Sequence, residues 1–141
     1  MINFNFKAAV LFKQNTKLKV IDIYTKNKLS RGQILVKIIY SGICGSQLGE
    51  ISGVKGKDRF LPHLLGHEGT GVVKKIGPGV KRFKINDHVI LHWKKSKGLE
   101  AKNASYYHKN YKINSGKVTT FSEYSVVSEN RLTKIPRGIN F

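Results

Sequence analysis

The stretch Gly66-His67-Glu68-Gly69, continued by Gly71, Val72-Val73 and Gly77-Pro78-Gly79, constrains this chain more than any other. Consecutive side chains on a strand point to opposite faces. For His67 and Glu68 to serve one point, the backbone must bend there, and glycines flank the pair. Upstream, Gly42-Ile43-Cys44-Gly45-Ser46 holds the only cysteine. The two stretches offer a thiolate, an imidazole and a carboxylate, three ligand types that zinc takes in catalytic sites. Taken singly, a lone cysteine is ordinarily a small buried hydrophobe, and a lone histidine has a structural partner. The combination carries the metal reading.

Around these stretches the sequence reads as strands. Residues 4–12, 18–24 and 34–40 are rich in β-branched and aromatic side chains and are separated by polar turns. Residues 69–76 and 88–93 add two more, joined through Gly77-Pro78-Gly79 and Ile85-Asn86-Asp87. Residues 121–127 and 131–135 complete the set, and only 46–52 reads as a short helix. The expectation is a mainly β chain with one or two short helices. Residues 94–117 are polar and lysine-rich and hold Tyr106, Tyr107 and Tyr111. They read as a long, mobile surface excursion, because loops of this length in a compact domain are functional or mobile.

The length, 141 residues, suits one domain with a real core. No apolar run approaches membrane-spanning length, and the first residues lack the layout of a signal peptide. A cytoplasmic protein with no membrane partner is the expectation. One cysteine excludes an internal disulfide framework. Without a secretory signal, Asn103-Ala104-Ser105, a glycosylation acceptor pattern, is assigned no role. Lys and Arg number 26 against eight Asp and Glu, a net charge of +18. Such an excess can neutralise phosphates, yet the lysines are scattered in short groups such as Lys74/Lys75 and Lys81/Arg82/Lys84. No specific nucleic-acid partner is expected, and non-specific adhesion to polyanions is.

The order of the motifs resembles a known family. Gly42-Ile43-Cys44-Gly45-Ser46 is followed by Leu61-Pro62-His63-Leu64-Leu65-Gly66-His67-Glu68-Gly69-Thr70-Gly71-Val72-Val73. Then come Ile76-Gly77-Pro78-Gly79-Val80 and Asp87-His88-Val89. This succession is similar to the zinc-dependent medium-chain alcohol dehydrogenases. Phe6-Lys7-Ala8-Ala9-Val10 resembles that family's first strand, and Phe121-Ser122-Glu123-Tyr124 with Leu132-Thr133-Lys134-Ile135-Pro136 its closing strands. The resemblance implies that residues 1–141 form the family's N-terminal GroES-like catalytic domain, an irregular β-barrel.

It also implies roles. Cys44 and His67 would be zinc ligands, and Glu68 would bind zinc or exchange with water. Ser46 would bond the alcohol oxygen and take the first step of proton removal; its plainer role is a helix N-cap. Three departures from the family pattern stand out. Gln47 replaces an aspartate behind the histidine ligand; an amide oxygen can still accept the imidazole N–H but adds no negative charge. Gly49 stands where relatives with a proton-relay histidine carry it. The family's third protein ligand, often a cysteine, comes from beyond residue 141. The 94–117 lobe lacks the four cysteines that hold a structural zinc in many relatives, so that second zinc is expected to be absent.

No Gly-x-Gly-x-x-Gly follows a strand and opens a helix, and Gly77-Pro78-Gly79 reads as a turn. The cofactor, NAD or NADP, would need a nucleotide-binding domain in cis or in trans. The leading expectation is therefore the catalytic part of an alcohol or polyol dehydrogenase, incomplete and catalytically silent alone. Its small-molecule partner would be an alcohol or polyol. The alternative is a standalone, non-catalytic module on the same barrel that contacts a protein partner or a polyanion. Other metal readings are weaker. His63 and His67 are four apart, but Pro62 and Gly66 argue against a helix. His88, His92 and His108 read as strand and loop residues.

Overall fold

A computed structural model describes residues 4–25 and 28–141. Ten strands and one α-helix follow in the order β1 (Phe4–Leu11), β2 (Lys19–Thr25), β3 (Gln33–Ser41), α1 (Gly45–Ser52), β4 (His63–Leu64), β5 (Gly69–Ile76), β6 (His88–Leu91), β7 (Tyr106–His108), β8 (Tyr111–Ile113), β9 (Tyr124–Ser128) and β10 (Leu132–Lys134). A 3-10 turn over Glu129–Arg131 joins β9 to β10. The strands form two five-stranded sheets, ordered β4-β1-β2-β7-β8 and β10-β6-β5-β3-β9. The sheets curl into the GroES-like barrel that the strand pattern and the family resemblance anticipate.

Each sheet has its own apolar cluster. In β1 the alternation is clean: Phe6, Ala8 and Val10 are buried while Asn5 and Lys7 are exposed, the period-two pattern of a half-buried strand. They pack with Ile23, Leu64 and Ile113. The second cluster centres on Ile34, Val36, Val73, Val89 and Leu132. Asn86, in the β5–β6 connection, has φ 71°, the left-handed turn that asparagine tolerates.

Residues 94–117 depart from the expected surface excursion. Within them β7 pairs with β2 through Tyr24↔Tyr107 and Thr25↔Tyr106, and β8 closes the sheet edge. Tyr106 and Ile113 are fully buried. The segment is also tied down electrostatically. The Glu100 carboxylate accepts the Asn130 amide at 3.0 Å and pairs with Lys95 at 3.2 Å, Lys117 at 3.1 Å and Arg131 at 3.5 Å. Hydrogen bonds from Asn130 and Lys117 pull its pKa down to about 2. The sequence hides this hairpin for a physical reason. Its strands are three residues each, too short for alternation to rise above the polar turn between them.

Candidate metal centre and cleft

Strand register assembles the site. β3 and β5 pair antiparallel, with Ser41 opposite Gly69. The chain leaving β3 therefore runs beside the chain entering β5, and Gly42 N–H bonds the Glu68 carbonyl at 3.0 Å. Cys44 follows on one side of this junction, and His67 with Glu68 precedes it on the other. Gly42 lies under the Glu68 side chain: a Cβ there would fall 2.8 Å from Glu68 Cγ and Oε1. Gly66 supplies the bend before His67, with φ 89°. A Cβ there would lie 2.3 Å from Thr120 Oγ1 and 2.9 Å from the Phe121 nitrogen.

The sulfur of Cys44, one ring nitrogen of His67 and one carboxylate oxygen of Glu68 all lie within 4.8 Å of one another. The bend at Gly66 thus lets two adjacent residues address one point, as a straight strand would not. The Cys44 thiol is held below its ordinary pKa by the Ser46 side chain first and the Ser46 backbone second; burial and the Glu68 carboxylate oppose the shift, and Lys55 assists it. A thiol biased toward thiolate, with an imidazole and a carboxylate beside it, is a donor set that fits zinc.

Cys44 is the N-cap of α1. Gln47, in the first turn, is buried. Its Oε1 accepts the Cys44 N–H at 3.0 Å, and its Nε2 meets His67 Nδ1. The reach back to the N-cap amide is the capping-box geometry. It reverses the expected polarity: the amide oxygen serves Cys44, so the amide nitrogen faces the imidazole. The Ser46 hydroxyl is buried and has no hydrogen-bonding oxygen or nitrogen among the described residues. Its neighbour is the Cys44 sulfur, whose thiol it helps to hold below the ordinary pKa.

Ser46, Gln47 and His67 line a cavity of about 890 Å³. Phe60, Leu65, Trp93 and Val118 add apolar wall. Trp93 stands 6.5 Å from the His67 ring and beneath the Arg131 guanidinium at 5.8 Å, and Arg131 also bonds the Trp93 carbonyl. Sequence reading did not single out Trp93 or Arg131, because their partners are distant in the chain. His63 is turned to structural use: Nε2 meets Asp58 Oδ2 at 2.5 Å and Nδ1 meets the Leu64 carbonyl at 3.0 Å. His92 bridges the Lys94 carbonyl at 2.7 Å and Thr133 Oγ1 at 2.9 Å.

The sequence profile of the alcohol dehydrogenase GroES-like domain matches residues 30–137. This chain belongs to that family. It is 32% identical over 146 aligned residues to an alcohol dehydrogenase of Geobacillus stearothermophilus, covering 96% of this chain and 41% of that protein. A class-3 alcohol dehydrogenase of Dictyostelium discoideum is 39% identical over 84 residues, covering 60% of this chain and 22% of its own length. Among solved structures, an alcohol dehydrogenase zinc-binding domain protein from Burkholderia ambifaria superimposes with a TM-score of 0.84 at 21% identity. That match covers 97% of this chain and 43% of the other. Benzyl alcohol dehydrogenase from Acinetobacter calcoaceticus gives 0.80 at 20% identity, covering 97% and 42%. The structural likenesses establish the fold. The chain spans about two fifths or less of the length of these two curated relatives. No helix among the described residues is long and apolar enough to cross a membrane.

Proposed function

We propose that this chain is the metal- and alcohol-binding part of a zinc-dependent alcohol or polyol dehydrogenase. The carrying observation is the convergence of Cys44, His67 and Glu68 donor atoms within 4.8 Å, beside a cavity of about 890 Å³ that His67 itself lines. Zinc bound there would supply a Lewis acid. Cys44 and His67 would hold it, and Glu68, exposed and drawn over Gly42, would bind it or yield to water. Gln47 orients the His67 ring through Nδ1. The buried Ser46 hydroxyl, beside the Cys44 thiol, would bond the alcohol oxygen at the first step of proton removal. The apolar wall of Phe60, Leu65 and Trp93 would exclude water from the reacting carbon.

NAD or NADP would accept the hydride on a nucleotide-binding unit supplied in cis or in trans, because no dinucleotide fingerprint occurs in these 141 residues. Hydride transfer requires that unit to position the nicotinamide against the substrate.

Cobalt(II) titration tests the metal reading. A near-ultraviolet thiolate charge-transfer band that is lost in Cys44→Ser and weakened in His67→Ala is the expected result. Cobalt binding that survives Cys44→Ser unchanged refutes it.

A further inference from the structure

The Lys55 side chain lies over Gly49. α1 ends at Gly53, whose φ of 76° lets its N–H reach the Gly49 and Glu50 carbonyls. Gly56 N–H then bonds the Gly53 carbonyl at 3.0 Å. These two turns fold the chain back over the helix. A Cβ at residue 49 would meet Lys55 Cε at 3.4 Å, ordinary contact distance, so the lysine stem lies over Gly49.

The ammonium arrives beside the first turn of α1. Lys55 Nζ donates to the Ser46 carbonyl at 3.3 Å, and its paired carboxylate, Glu50 Oε1, stands at 3.8 Å, beyond hydrogen-bond length. An ammonium carries three donors, so Lys55 has donors to spare. Lys55, Lys57, Ser46 and His67 line one cavity. Lys57 has no carboxylate partner among the described residues. Asp58, the other acid in that wall, is already committed: Oδ2 to His63 Nε2 at 2.5 Å and Oδ1 to the Phe60 N–H at 2.8 Å.

We propose that the alcohol taken by this cleft carries an anionic group, a carboxylate or a phosphate, bound by Lys55 with Lys57 behind it. The proposal rests on the alcohol-oxidising reading of the same cleft. The ammonium is one hydrogen bond from the backbone of Ser46, and both line the cavity with His67, so the anion and the reacting hydroxyl are taken to belong to one small molecule. Short hydroxy acids and polyol phosphates meet that requirement. The net charge of +18 draws any anion toward the surface; the unused donors at Lys55 and Lys57 are particular to the cleft.

Calorimetric titration of the full chain tests this with two matched pairs, 4-hydroxybutanoate against 1,4-butanediol and glycerol 3-phosphate against glycerol. At least one anion should bind about tenfold more tightly than its neutral counterpart, the effect of one charge pair at a half-screened site, and the tighter anion names the group. Lys55→Met keeps the stem over Gly49 and should abolish the preference. Glu50→Gln should strengthen it, and Lys74→Met on β5 should leave it intact. Equal binding of charged and neutral members overturns the proposal, as does a Lys74→Met loss as large as that of Lys55→Met. Cobalt(II) spectra of the same samples separate the two readings. Cobalt binding through Cys44 without an anion preference overturns this inference alone. An anion preference without cobalt binding sustains the anion site and removes the alcohol-oxidising reading.

Discussion

The Tyr106 hydroxyl accepts the Val126 N–H at 2.8 Å, a bond between strands that belong to different sheets. Tyr106 sits on β7 and Val126 on β9. The phenol is fully buried and its ring meets Phe6 edge-on, with centroids 6.1 Å apart. One side chain thus joins the two sheets by packing and by satisfying a backbone donor.

Tyr106→Phe should therefore destabilise the domain by about 1–3 kcal/mol, because the Val126 N–H is left buried without an acceptor. Tyr106→Ala should cost about 3–5 kcal/mol by adding a cavity. Urea unfolding midpoints measure both. A Phe variant as stable as the parent would show that water replaces the phenol oxygen.

Glu129 is 2% exposed. Its Oε1 accepts the Lys81 and Arg82 N–H groups at 2.9 Å each, and Oε2 accepts the Leu99 N–H at 2.8 Å. Burial alone would raise its pKa, but the hydrogen bonds from Leu99, Arg82 and Lys81 outweigh it and lower the pKa. A carboxyl lowered in the folded state contributes stability that is present above the unfolded pKa of ~4.3 and is lost as pH falls through the lower folded value. Glu129→Gln should cost about 2–3 kcal/mol at neutral pH, and its stability should fall less steeply with acid than the parent's. Urea unfolding repeated from neutral pH into the acid range reads both effects.

Gln47→Glu should strengthen metal binding. A carboxylate of the same shape can accept the Cys44 N–H with one oxygen and a His67 Nδ1–H with the other, leaving Nε2 free of its proton. Roughly tenfold or more in affinity is the expected gain, the scale on which groups behind a ligand act. Competition against a chromophoric chelator measures it, and an unchanged or weaker affinity counts against His67 as a ligand.

Gly66→Ala should be among the most damaging single-methyl additions. It combines a φ of 89° with a Cβ placed 2.3 Å from Thr120 Oγ1. Strain of this kind costs about 1–3 kcal/mol before the clash is counted. Because Gly66 aims His67, metal affinity should fall together with thermal stability. A variant that loses stability but retains full affinity would show that the His67 geometry is set elsewhere.

Much of this molecule is legible without coordinates. Phe6, Ala8 and Val10 alternate with polar neighbours, so β1 reads directly from period and residue type. Gly66 and Gly69 around His67-Glu68 announce a bend, because only a bent backbone turns adjacent side chains to one point. Cys44, His67 and Glu68 declare their ligand chemistry by type. These are local properties, carried by a residue and its immediate neighbours. The tertiary structure decided what depends on pairs far apart in the chain. The Ser41↔Gly69 register brings the Cys44 loop to His67. The pairing of β7 with β2 converts an apparently polar excursion into a sheet with Tyr106 at its core. One amide serves two groups, with the Gln47 oxygen accepting the Cys44 N–H and its nitrogen against His67 Nδ1. The glycine turns after α1 lay Lys55 over Gly49. Residue type specifies what a side chain can do; which partner it meets follows from strand register and chain reversal, and these are settled only when the whole barrel closes.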